Sequence, residues 1–586
     1  MNLNSQRLAS LYVAVLLMGS CLPARALSEE ALVANTPAAR EALLAAGTDG
    51  YLVQALPALV KARPEQLAPG SPALSLALHA ARGEAESGQV LVTPLREGLR
   101  QVNAQAQLRG PDGAALAAEL RLLGTVPVAH PTAVSFGVAG DYPDPLRPLR
   151  PFDVEVGKSQ SLWLTVRVPP DAVPGEYTGA VTVAPSGREP AALPLTVTVY
   201  PVDLPALSFL KTVILLYDGI PFYGERWPEA YRFMNEELLR SRFSQMWLGG
   251  KWDGVFHRGD DGLWTATWDE FDADVTGWLA RGRTTFLVPH DSVFKATLGI
   301  PDDAANQDEA ARKLALLDAH LVARGWGERF YIYAFDEPAP DRVGAIARFC
   351  AFIRQHAPHL PVLMTAPHGT MLGTGNVWIP HIHELARPGY IGGMLRRVTA
   401  GEQFWTYTCM GTRWIKTPDS WRIDWYGTSH RALGWLLFQQ GCQGYLYWNG
   451  SYWHTGSGTE RRRFDPLHDP AIINDTNYPN GHCNGDGFLF YPDPEGKDLP
   501  YSSMRLEITR DAFEDYDLLT LLERQIVAIR SDPARLALCE PARLEAALAA
   551  LATYPLVRAV DDFEKDAAAY DAAHLAVLRA LAGLGR

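Results

Sequence analysis

Phe330-Tyr-Ile-Tyr-Ala-Phe-Asp-Glu-Pro338 is the stretch on which the reading of this chain turns. Six apolar and aromatic residues run straight into two adjacent carboxylates, Asp336 and Glu337, and Pro338 then removes a ladder donor. A continuous apolar run of this length reads as a strand buried on both faces, the habit of parallel sheets. The C-terminal end of such a strand is where barrel enzymes keep their chemistry. Two neighbouring carboxylates resist joint ionisation, so one tends to keep its proton and can serve as an acid. The competing reading is an Asp-Glu pair that merely caps the next helix, and the surrounding sequence decides between them.

Outward from this strand, residues 206–530 alternate between strand and helix patterns. Strand candidates fall at 212–217, 243–248, 284–289, 330–335, 361–366, 376–380, 403–408 and 444–448, with helical stretches such as 228–242, 308–324 and 341–356 between them. Eight such alternations predict a (β/α)8 barrel with insertions. An open doubly wound sheet is the rival, but no glycine-rich dinucleotide fingerprint follows the first strand. Residues 66–202 have a different texture: short alternating strands such as 161–168, 179–184 and 193–200, with Pro/Gly turns between them, predict a β-sandwich. The Ala/Leu-rich segment 27–65 reads as helical or linker, 201–205 as a linker, and 531–586 as C-terminal helices. The fold class expected is multidomain, α/β plus all-β: an N-terminal β-sandwich, a (β/α)8 barrel and a helical tail. The polar connection 449–500 is long enough to wall or cover a site.

Composition narrows the function classes. With 586 residues, 47% hydrophobic and 20% charged, the chain is that of a multidomain globular protein. A net charge of -13 without a basic stripe argues against a nucleic-acid partner. Arg7 and the apolar run Leu8 to Met18 predict a signal peptide over 1–26, hence export to the periplasm or beyond. Met18-Gly19-Ser20-Cys21 resembles a lipobox that would lipidate Cys21, whereas Ala24-Arg25-Ala26 suits ordinary cleavage; both routes stay open. The six cysteines include no C-x-x-C, so neither a zinc site nor a dense disulfide framework is expected, and no cofactor or metal is called for.

On the barrel reading, the strand ends display Asp218, Gly249 with Asp253 beyond it, His290 with Asp291, Asp336 with Glu337, His368, Tyr407 with Cys409, and Trp448 with Asn449. This polar, aromatic rim suits a glycan better than a phosphate. Many barrel glycosidases place a second, nucleophilic carboxylate after the seventh strand, about 5 Å from the acid. Here that strand ends Thr406-Tyr-Thr-Cys-Met410, and Glu402 lies at its wrong end. The alternative is substrate assistance, in which a 2-acetamido group attacks the anomeric carbon. Asp336 would then hold the acetamido nitrogen and Glu337 would protonate the leaving oxygen. Strict alternation aims neighbouring side chains to opposite faces, so this needs the chain to turn at Glu337.

The Phe335-Asp-Glu-Pro338 segment resembles the catalytic core of glycoside hydrolase family 123 and its broad sister domain of unknown function. Gly485-Asp-Gly-Phe-Leu-Phe-Tyr-Pro492, Ser502-Ser-Met-Arg-Leu-Glu507 and Arg510-Asp-Ala-Phe-Glu-Asp-Tyr-Asp-Leu518 are similar to that domain's closing signature, and Gly444-Tyr-Leu-Tyr-Trp448 to its last strand. Glu84-Ala-Glu-Ser-Gly-Gln89 and Val168–Tyr177 resemble the family's sandwich. Asn376 and Ala512 depart from the pattern, where an acidic residue and a glycine are usual. The resemblance implies a retaining exo-β-N-acetylgalactosaminidase with Asp336 as acetamido stabiliser and Glu337 as acid/base.

Other residues carry weaker expectations. His290, His368, Tyr407, Trp448 and Asn449 are substrate-binding candidates by position, and Trp405, Tyr447, Tyr452 and Trp453 could join a sugar platform. Arg505, Glu507, Arg510, Asp511 and Asp515 read as a structural ion-pair network rather than as catalytic groups. His454, His468, His482, Cys483 and Asp486 match no metal-ligand spacing and read as loop polarity. A glycosidase on a non-acetylated sugar, using Asp253 or Asp291, and a non-catalytic glycan-binding protein are the alternatives.

Overall fold

The structure, a computed structural model, describes residues 31–45, 50–68, 75–135, 137–216, 220–245, 251–289, 304–365, 375–399, 401–412, 415–455, 462–471, 473–474 and 481–585. The segment 1–26, expected to be a signal peptide, and Cys21 within it lie outside the described residues.

The N-terminal unit is two stacked sheets. Strands β1 (Tyr51–Pro57), β2 (Leu76–Arg82), β3 (Ala85–Pro94), β4 (Leu99–Arg109), β5 (Ala117–Val128), β6 (Gly140–Pro148), β7 (Phe152–Val154), β8 (Gln160–Arg167), β9 (Gly175–Ala184) and β10 (Ala191–Asp203) supply them. One sheet runs β1–β3–β8–β5–β6, the other β2–β10–β9–β4–β7. Alternation explains the packing: Leu162, Leu164 and Val166 of β8 meet Val181, Val183, Leu195 and Val197 of the facing sheet. The odd residues Trp163 and Thr165 are also fully buried, because the outer face of this sheet is covered in turn. The segment 27–65 is therefore not simply helical or linker. Among the described residues it holds one α-helix, α1 (Pro37–Ala45), but Tyr51–Pro57 pairs antiparallel along β3. Its Ala/Leu content concealed a strand whose apolar residues are buried by neighbours.

The second unit is built on parallel strands β11 (Lys211–Ile214), β12 (Phe286–Leu287), β13 (Phe330–Phe335), β14 (Val362–Thr365), β15 (Val377–Ile379), β16 (Gln403–Thr408) and β17 (Gly444–Tyr447). Their order is β11–β17–β16–β15–β14–β13–β12, so the first strand pairs with the last. Seven of the eight expected strands are thus present. The candidate at 243–248 contributes a single bridge, Ile214 to Gln245, and Ser244 Oγ accepts the Thr284 amide at 3.2 Å; residues 246–248 lie outside the described residues. Inside the curl, Val213, Leu287, Tyr331, Leu363, Val377, Ile379, Trp405, Tyr407 and Leu446 pack together. Helices α2 (Trp227–Arg240), α3 (Asp269–Ala280), α4 (Ala304–Ala323), α5 (Val343–His356), α6 (Tyr390–Thr399) and α7 (Gly427–Gln439) occupy the connections.

The two units share their last elements. Ser502–Ser503 forms β18, which pairs with β6 and extends the sandwich sheet, and Ser503 caps α8 (Met504–Ser531) by accepting the Leu506 amide at 3.2 Å. The first five turns of α8 are buried with their charges: Arg505 to Asp144 at 2.9 Å, Arg121 to Glu507 at 2.5 Å, Arg431 to Asp515 at 2.8 Å and Arg242 to Asp517 at 2.7 Å. The charged residues at helical spacing are the structural network expected, and their partners come from both units: Asp144 and Arg121 from the sandwich, Arg431 and Arg242 from the second. The C-terminal helices α9 (Pro541–Ala550) and α10 (Ala567–Leu584) follow, with a small hairpin, 557–563, between them.

Candidate active site

Asp336 and Glu337 follow β13 directly, and the backbone there breaks the strand rule in two places. First, the β13–β14 register passes from Tyr333–Leu363 to Phe335–Met364, leaving Ala334 as an extra, bulged residue. One inserted residue resets the alternation. Tyr331 and Tyr333 point into the interior cluster, Phe330 and Ile332 point outward, and Phe335 is outward again, with its ring 5.4 Å from Phe349 of α5. Asp336 is thereby returned to the interior side. Second, Glu337 has φ +41, the left-handed region that a side chain rarely adopts. That residue turns the chain, so both carboxylates share the open end of the curl, where both are exposed.

Each carboxylate is anchored by one oxygen. Asp336 Oδ1 accepts from Tyr333 Oη at 2.6 Å and from Thr365 Oγ1 at 2.8 Å, while the Thr365 hydroxyl also accepts the Glu337 amide at 2.9 Å. Glu337 Oε1 accepts from the Tyr407 hydroxyl. Burial, reinforced by the neighbouring carboxylates, raises both tyrosine pKa values well above their ordinary range, so both rings stay protonated donors. Oδ2 of Asp336 and Oε2 of Glu337 have no protein partner among the described residues. Two fixed acids with one open oxygen each can hold an N–H donor and exchange a proton with the same ligand.

Beneath Glu337, the His381 ring packs edge-on to Tyr407 at 4.8 Å. Burial, then His383, pushes His381 down to about 3, so this imidazole is neutral and braces the ring. Cys409 Sγ lies 3.4 Å from His381 Nε2; burial, then Asp486, raises the thiol well above its ordinary range, which removes it as a nucleophile.

The aromatic wall comes from β17 and the following loop. Trp448 is half-buried, donates from Nε1 to Asp486 at 2.9 Å and leads to Tyr452 at 5.1 Å, which meets His454 at 4.3 Å. Gly487, at φ +88, is where a Cβ would come 2.6 Å from Trp448 Cζ2, so only glycine lets the indole lie there. Asp486 is fully buried and also accepts from Met410 N at 2.9 Å and Tyr447 Oη at 3.2 Å.

The sequence expectations separate accordingly. Asp336, Glu337 and Tyr407 are brought together. Asn449 is fully buried and its Oδ1 accepts the Ser451 amide at 2.7 Å, a turn-forming role. Trp405, Tyr447 and Trp453 are packed out of solvent and form no platform. Asp253 is exposed; Asp218, Gly249, His290, Asp291 and His368 lie outside the described residues. In the long connection His468 bonds Asp465 and His482 stacks on His130, while Asp486 lies under Trp448. Among the described residues, Cys350, Cys409, Cys442, Cys483 and Cys539 form no disulfide with one another. No helix among the described residues is long and apolar enough to cross a membrane. Tyr333, Thr365 and Asp486 went unread as site residues. Tyr333 two residues before the strand's end and Thr365 ending the next strand were visible in the sequence, but only the bulge gives them their aim.

Residues 288–522 match the family described as glycoside hydrolase 123, catalytic domain. No curated protein matches the chain. Among solved structures, a family 123 glycoside hydrolase from Clostridium perfringens, reported for glycolipid glycan hydrolysis, is similar over 92% of this chain and 98% of its own, at 13% identity and a TM-score of 0.60. A family 39 glycoside hydrolase from Bacteroides cellulosilyticus covers 70% of this chain and 80% of its own, at 11% identity and a TM-score of 0.32.

Proposed function

We propose that the glycoside hydrolase 123 catalytic domain carried by residues 288–522 cleaves terminal β-linked 2-acetamido sugars with retention, as an exo-β-N-acetylgalactosaminidase does, through participation of the substrate's own amide. The observation that supports this reading is the pair itself: adjacent carboxylates turned to one side, each with one oxygen anchored and one open. The seventh strand, which would supply a protein nucleophile, ends in Thr408-Cys409 with its thiol held protonated.

In the first step the acetamido oxygen bonds to the anomeric carbon as the glycosidic bond breaks. Glu337 gives its proton to the departing oxygen, and Asp336 accepts the amide N–H as positive charge gathers on the nitrogen. In the second step Glu337 takes a proton from water, whose oxygen bonds to the anomeric carbon and reopens the oxazoline. Two inversions give net retention. Tyr407 and Thr365 keep the two carboxylates in place, and Trp448 offers a flat face to the ring. The eight strand candidates form a closed barrel on this reading, which the β11–β17 pairing supports. Export through the segment 1–26 belongs to the same proposal, supported by its apolar run, and mass spectrometry of the mature N-terminus tests both this and lipidation of Cys21.

Glu337→Gln and Asp336→Asn are each expected to lower kcat on an aryl 2-acetamido-glycoside by about 10²- to 10⁴-fold. Full activity in either variant overturns the assignment. A thiazoline that mimics the oxazoline should inhibit; insensitivity, or turnover of aryl glycosides lacking the acetamido group, points to a protein nucleophile. Glycan binding without turnover on any sugar would favour a binding protein.

A further inference from the structure

Far from the open end of the curl, a second set of ionisable groups converges where α10 lies against the sandwich. Glu84 follows β2, Glu86 belongs to β3, and His574 comes from α10; all three are more than nine-tenths buried. Their ligand-type atoms lie within 4.8 Å of one another. Glu86 Oε1 is 3.4 Å and Glu84 Oε1 is 3.7 Å from His574 Nε2, and the His79 carbonyl oxygen is 3.1 Å from the same nitrogen.

The Nε2 contact with the His79 carbonyl is a hydrogen bond, but the two glutamate contacts are long for one. Among the described residues, Oε1 of Glu84 and Oε1 of Glu86 are both buried without a hydrogen-bond partner. The nearest guanidinium, Arg431, is committed to Asp515 at 2.8 Å and approaches Glu86 only to 3.6 Å. Orphaned carboxylate oxygens in a protein interior are costly, and native structures rarely tolerate two side by side. The same separations suit a coordination shell. Ligand atoms held about 2.1 Å from a tetrahedral ion stand about 3.4 Å apart. The imidazole is also prepared for that role: its other nitrogen, Nδ1, bonds Asp515 Oδ1 at 2.8 Å, and Glu84 Oε2 accepts the Ala81 amide at 2.6 Å, so both groups are oriented from behind.

We propose that Glu84, Glu86, His574 Nε2 and the His79 carbonyl form a structural site for a divalent transition-metal cation that pins α10 to the sandwich. One imidazole with three oxygens suits Zn2+ or Mn2+. Cysteine spacing carries no trace of this set, which contains no cysteine and joins residues from opposite ends of the chain.

The test is elemental analysis of the full chain purified without chelator, followed by chelation and return of Zn2+ or Mn2+ during thermal unfolding. About one equivalent of bound metal is expected, lost with Glu84→Gln/Glu86→Gln, and Tm should drop by at least about 2 °C on chelation and recover on readdition. Metal-free protein whose Tm answers to neither ion overturns the proposal, and so does a double variant that keeps the wild-type metal content. If the variant does not fold, the metal content and Tm response of the unaltered chain decide.

Discussion

Burial raises the Asp486 carboxyl to about 6, against the hydrogen bonds from Trp448, Met410 and Tyr447 that favour its ionised form. The unfolded chain releases this proton near the ordinary value of 3.8. Between the two values the native state holds a proton that the unfolded state has lost, so stability falls as pH rises from about 4 to about 6 and is level above that. At about 1.4 kcal/mol per pKa unit, the two-unit window is worth on the order of 3 kcal/mol. Asp486→Asn keeps an acceptor for the Trp448 indole and cannot ionise; urea unfolding at pH 4 and pH 7 should show that this part of the pH slope has gone. A slope identical to that of the unaltered chain would contradict the burial argument. At this scale the sequence disclosed the acids but not their aim. Asp336 and Glu337 stand out because two carboxylates terminate an apolar strand. That they face one way depends on Ala334 bulging against β14, a contact between strands that no local pattern encodes.

Helix α8 carries its argument at the scale of an element. Arg505 and Asp144 are both wholly buried, and Arg505 also donates to the carbonyls of Trp421 at 2.6 Å and Gly485 at 3.0 Å. Removing one partner leaves the other charge stranded, so Arg505→Met is expected to cost about 3–5 kcal/mol in urea unfolding. Asp144→Leu/Arg505→Met together should recover part of that loss, because no bare charge remains. The periodicity of Arg505, Glu507, Arg510, Asp511 and Asp515 marked a helix whose charges are structural. It could not say that the partners are Arg121, Asp144 and Ser87 of the sandwich, because helical spacing reports only neighbours along the chain. The strand Tyr51–Pro57 escaped for a related reason: it is defined by β3 beside it rather than by its own alternation.

For the whole molecule, the sandwich is a wall of the second unit rather than an appendage. Glu507 loses Arg121, Arg505 loses Asp144 and Glu514 loses the Ala85 amide if the sandwich is absent. A chain lacking residues 31–203 should therefore be insoluble or lack the near-UV circular dichroism of fixed aromatic packing. A soluble, natively packed fragment would show that the interface is dispensable. The placement of β18 also has a bearing on assembly. The edge that completes the first-made half is encoded after all seven parallel strands, so a ribosome delivers the lock long after the door. Refolding from denaturant should then be one concerted event, and a chain interrupted before Ser502 would be left with an open seam ready to stick to its neighbours.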